Sequence, residues 1–180
     1  MTLTWHKHTA DVEFTVDTDT CESMVKESIL AVTQAMVNLD TVDKVMQQYF
    51  EIENSNIERA LFDVLSEIIY LKDAQQFIVA DCDVVITDKI EVTLHGTLLS
   101  DRIEQNVDVK AVTMHKFEVK QDNGWHARVV LDIWKIQYVH ARNVHYGKSV
   151  RSLFRVMVIV KSEFFLTGQT VKLTGTVHTQ

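Results

Sequence analysis

Proline is absent from all 180 residues, where a usage of about 5% would place roughly nine, so the chain is biased toward regular structure. The two cysteines, Cys21 and Cys82, are too few for a secreted disulfide framework and share no metal-ligand spacing; they read as buried thiols. Glycine occurs only five times, and no Gly-rich loop that could cradle a phosphate is present. No run of about 20 apolar residues occurs, and the first residues have no apolar signal core. These absences lead us to expect a cytoplasmic protein without membrane contact. What is present is a chain 46% apolar and 24% charged, which suits one folded domain and excludes wholesale disorder.

The net charge of −7 is unevenly spread. Residues 1–133 hold 11 Lys and Arg against 24 Asp and Glu, whereas residues 134–180 hold seven basic residues against Glu163 alone. The change of sign divides the chain into a body, 1–133, and a basic, strand-like extension, 134–180. The body repels phosphate backbones and suits metal ions or a basic protein surface. The seven cations of the extension are too dispersed to form a dense nucleic-acid patch.

Periodicity sets out the elements. Val12, Phe14 and Val16 alternate with Glu13, Thr15 and Asp17, predicting a half-buried strand after a first one at Leu3–His8. Thr20 can cap a helix whose stripe is Met24, Val25, Ile29, Val32, Ala35 and Met36. Tyr49–Glu53 alternates. Asn56 can cap a second helix, where Ile57, Leu61, Val64, Leu65, Ile68 and Leu71 recur at helical spacing. Four Val- and Ile-rich strands follow, at Phe77–Ile86, Ile90–Leu99, Val107–Gln121 and Trp125–Ile133, and Asp122-Asn123-Gly124 is a hairpin signal before the last. The order predicts an α+β fold, a largely antiparallel sheet packed on two helices. In the extension, Leu153–Val160 and Val171–Val177 read as strands.

Several residues bear on chemistry when read singly. Asp11 lies in the predicted turn between the first two strands, where rigid elements can aim a carboxylate. Asp132 alternates with Leu131 and Ile133 and alone reads as a solvated strand residue. Lys110 alone is a solvated edge lysine. His6 and His8 share a strand face but lack a third ligand nearby, so they read as structural histidines. Asp63 and Glu67, four apart, form a polar stripe opposite the apolar face of the second helix.

Four segments in register resemble the archease family: His8-Thr9-Ala10-Asp11-Val12, the helical run Leu61–Tyr70, Val109–His115, and Gly124-Trp125 through Arg128–Ile133. The resemblance covers about residues 5–133. It implies a strand–helix–strand–strand module with a helix-containing insertion, and a non-enzymatic, chaperone-like activator of the RtcB-type tRNA-splicing ligase. Such an activator promotes guanylylation and repeated turnover of the ligase, and meets RNA only through it. It also implies a divalent cation, calcium foremost with magnesium or manganese as alternatives, held by Asp11, Asp132 and Ile133. Lys110, Asp63 and Glu67 match positions that would meet the partner. Lys7, Glu13, Ser66 and Ile103 depart from the family's usual residues.

In the family the chain usually ends at the position of Ile133, adding a terminal carboxylate to the metal shell. Here Trp134 follows, so an uncharged carbonyl remains and one negative charge is lost. A protein truncated after Ile133 is therefore expected to bind calcium more tightly than the full chain, as calorimetry would measure; equal affinities would refute the idea. Two rival readings stand beside this one. A metal-dependent hydrolase of phosphoesters could use Asp11 and Asp132 to hold a water-activating ion, although no general base accompanies them. An RNA-binding module could act through the basic extension.

Overall fold

The computed structural model describes residues 1–7 and 11–134, together with the backbone of two short strands further on. Helix α1, Cys21–Met36, begins at Thr20, whose side chain accepts from the Ser23 amide at 3.2 Å. Helix α2, Ile57–Gln75, begins at Asn56, whose side-chain oxygen Oδ1 accepts from the Arg59 amide at 2.9 Å. Both caps satisfy an amide that the first helical turn leaves without a partner. Each apolar stripe is buried: Met24, Val25, Ile29 and Val32 on α1, and Leu61, Val64, Leu65 and Ile68 on α2. At its C-terminal end α2 closes on Gln76 in the left-handed conformation, φ 55°.

The strands are β1 Thr2–Lys7, β2 Asp11–Thr18, β3 Met46–Glu53, β4 Phe77–Ile86, β5 Lys89–Leu98, β6 Asp108–Gln121 and β7 Trp125–Trp134. Beyond them β8, Ile136–Gln137, pairs antiparallel with β9, Val158–Ile159. The expected sheet is divided in two, both antiparallel: a four-stranded sheet ordered β1-β2-β7-β6 and a three-stranded sheet ordered β3-β5-β4. The predicted hairpin joins β6 to β7, with Asn123 at φ 54° and Gly124 at φ 143°. These positive φ values are the reason for Asn and Gly at this turn.

Helix α1 packs against β4, β2 and β7, and α2 against β6, β4 and β3. The four-stranded sheet thus has an inner face that carries Phe14, Val16, Ala127, Val129 and Leu131, all fully buried. Its outer face carries the alternate residues Asp11, Glu13, Thr15 and Asp17 of β2 opposite Asp132, Val130, Arg128 and His126 of β7. Lys72 at the end of α2 reaches Asp108 at the start of β6 at 2.6 Å, tying the helix to the edge strand. Phe62 of α2 meets Phe117 of β6 edge-on, with centroids 5.5 Å apart. The extension's predicted strands at 153–160 and 171–177 lie outside the described residues, apart from β9.

Candidate functional site

The outer face is organised by the register of β2 against β7. Asp11 is the first residue of β2 and stands directly opposite Asp132. It is therefore a strand residue on the first rung of its ladder, not the turn residue expected from sequence. Directly opposed residues of an antiparallel pair project to the same side, with Cβ atoms about 4.5–5.5 Å apart. Two carboxylates, far apart in sequence, so meet on one rung, both of them partly exposed. Like charges in this arrangement are unfavourable unless a cation lies with them.

The cation present is Lys110. On β6, Val109 pairs with Ile133 and Ala111 with Asp132, so Lys110 is the extra residue of a β-bulge. A bulge leaves one residue without a ladder partner and turns its side chain out of the regular alternation. Here the lysine is turned toward the site: its Nζ lies 3.3 Å from Asp132 Oδ2 and 4.7 Å from the centroid of the Trp134 ring. The aromatic face favours the ammonium through its quadrupole, which adds to the attraction of the carboxylate. Lys110 is thus half-exposed at an edge strand, as sequence suggested, but engaged.

Ile133 follows Asp132 on β7, and its side chain packs against the hydrophobic core. Its main-chain carbonyl is what it can offer a ligand. The other named residues lie elsewhere. Asp63 is held on α2 by Arg59, Nε donating at 3.0 Å, and Glu67 is half-buried one turn further along. Among the described residues no cluster of three or more His, Cys, Asp and Glu side chains gathers in metal-binding geometry. His6 approaches the Thr15 hydroxyl at 3.4 Å, and His8 lies outside the described residues. Cys82 is buried and Cys21 only half-buried. Burial pushes their thiols up, to about 12 and about 11, so both are protonated and unreactive at neutral pH.

Next along the same face is a cluster that sequence reading did not single out. Glu13, 4% exposed at its side chain, accepts from Arg128 Nε at 2.7 Å, and Lys116 Nζ lies 3.8 Å from its other oxygen. Lys116 is brought there by a second, wider bulge. Thr113 pairs with Val130 and Glu118 with Arg128, so four residues of β6 span one of β7, and Lys116 takes a positive φ of 58°. These side chains, with His6, Thr15, Glu118 and His126, line a shallow hollow of about 390 Å³. The only sign of it in sequence is an acidic residue at 13 where the resembled family has a glycine.

This architecture defines a class: an α+β protein whose body, in the described residues, is a four-stranded and a three-stranded antiparallel sheet with two α-helices, and paired aspartates on the outer face of the larger sheet. Residues 4–133 match the model of the Archease protein family (MTH1598/TM1083). The chain is 32% identical over 130 residues to the protein archease of Archaeoglobus fulgidus, covering 70% of this chain and 95% of that one. It is 29% identical over 136 residues to that of Pyrococcus furiosus, covering 71% and 96%. Among solved structures it resembles Methanobacterium thermoautotrophicum protein 1598, with a TM-score of 0.62 at 24% identity, covering 72% of this chain and 97% of that one. It also resembles an archease from Thermotoga maritima described as a possible chaperone, with a TM-score of 0.53 at 19% identity, covering 71% and 94%. The chain belongs to the archease family.

Proposed function

We propose that this protein activates an RtcB-type tRNA-splicing ligase and holds a divalent cation, calcium foremost, between Asp11 and Asp132. The observation that carries the proposal is the single rung on which the two carboxylates face each other. Hard oxygen donors without thiolate or imidazole suit Ca²⁺, Mg²⁺ or Mn²⁺. The Ile133 carbonyl and water would complete the shell. The bound cation would supply charge neutralisation at the pair.

The chain's own residues do the rest by binding. An acidic body with a negative surface is steered toward a basic ligase cleft, which makes association salt-sensitive. Lys110, beside the pair, can meet a ligase-bound phosphate or carboxylate, and the acidic side of α2 with Asp63 and Glu67 offers a further contact. Binding that favours the ligase conformation in which its nucleophile and GTP are aligned raises the rate, with no chemistry on this chain. The protein would work in the cytoplasm and would touch RNA only through the ligase. No helix among the described residues is long and apolar enough to cross a membrane.

The test is to add the protein in substoichiometric amount to a cognate ligase and count turnovers per ligase. The expected result is more turnovers than the ligase makes alone, with faster guanylylation. Folded protein that gives no gain refutes the proposal. Cation-dependent phosphoester cleavage by this protein alone, lost in Asp11→Asn, would instead favour the hydrolase.

A further inference from the structure

We infer that Lys110 is the built-in counter-ion of the Asp11–Asp132 pair and that its ammonium sets how tightly the pair takes a divalent cation. The inference rests on the cation-site reading above and adds to it a residue that opposes occupancy. Three observations support it. The β-bulge at Lys110 makes it the unpaired residue beside the Asp132 rung. Its Nζ lies 3.3 Å from Asp132 Oδ2. The centroid of the Trp134 ring lies 4.7 Å from the same nitrogen, so the ammonium has an aromatic face beside it as well as a carboxylate.

A divalent cation entering between the two aspartates carries twice the charge of a monovalent one and repels the ammonium in proportion. The lysine must give up its contact with Asp132, and the indole face can keep its charge favourably placed when it does. Binding is therefore an exchange of one cation for another at Asp132. Because Lys110 and Asp132 are 47% and 41% exposed at their side chains, solvent screens the opposition, and its removal should tighten binding by about three- to tenfold.

The experiment is calcium titration of the full chain by calorimetry, with the parent, Lys110→Met and Lys110→Arg compared at one ionic strength. Methionine keeps an unbranched apolar side chain and removes the charge; arginine keeps the charge. The expected result is three- to tenfold tighter binding for Lys110→Met and an affinity within about twofold of the parent for Lys110→Arg. Thermal unfolding supplies a second readout. Lys110→Met should be less stable than the parent in calcium-free buffer, where the two carboxylates lose their counter-ion, and should gain more than the parent from added calcium. A lysine with a merely structural role would lower stability equally in both buffers. Equal or weaker calcium binding by Lys110→Met, with the parent binding measurably, overturns the counter-ion role and leaves the cation site standing. No binding heat and no calcium-dependent stabilisation in the parent or in Lys110→Met overturns the cation site, and the counter-ion role with it.

Discussion

Arg128→Met is expected to destabilise the protein by about 3 kcal/mol, because it removes the guanidinium paired with the buried Glu13 carboxylate. Glu13 is 4% exposed at its side chain, and Arg128 donates to Oε1 through Nε at 2.7 Å. Methionine retains the apolar stem and cannot donate. Lys116, 3.8 Å from Oε2, continues to balance the charge, which places the loss toward the lower end of what breaking a buried ion pair costs, about 3–5 kcal/mol. Urea unfolding of Arg128→Met, Glu13→Gln and the double variant measures the coupling. The double variant should recover most of the loss, since a neutral amide no longer needs the guanidinium. A loss below about 0.5 kcal/mol in Arg128→Met would show that the pair behaves as an ordinary surface ion pair.

The second large effect concerns the cation. Asp11→Asn and Asp132→Asn are each expected to weaken calcium binding by about 100-fold, since affinity in oxygen-donor sites follows the number of ligand charges. Ligase stimulation at limiting calcium should fall with it. The apo proteins should behave differently from what a structural defect would give. Asp11 and Asp132 are like charges on one rung, so neutralising Asp11 relieves a repulsion and the calcium-free variant should unfold at or above the temperature of the parent. The parent alone should then be stabilised by added calcium, by an amount that grows with the logarithm of its concentration. An Asp11→Asn protein that binds calcium as tightly as the parent removes this residue from the site. One that is unstable without calcium would assign the residue a structural role.

Much of this was readable from local pattern. The caps at Thr20 and Asn56, the buried stripes of both helices and the Asn123-Gly124 turn each depend on residues within a few positions of one another. For that reason a single sequence displays them. The predicted strands recur with ends displaced by a few residues; β3, for instance, starts at Met46 and not at Tyr49. The family resemblance pointed to Asp11 and Asp132, but on periodicity alone Asp132 was one more outward-facing strand residue.

What sequence alone determined is the inventory: two amphipathic helices, a set of alternating strands, an acidic body and a handful of polar residues on outward-facing positions. Alternation assigns each residue to a face because that depends only on the strand's period of two. The tertiary structure alone decided which of those residues are neighbours. The division of the strands into two sheets, the rung shared by Asp11 and Asp132, and the burial of Glu13 beneath Arg128 are all products of long-range register. Register is fixed by which apolar faces can be buried together, and the bulges at Lys110 and at Met114–Phe117 then shift β6 out of simple alternation. A bulge changes the neighbours of every later residue on its strand, so the placing of an ammonium beside a carboxylate had to await the fold.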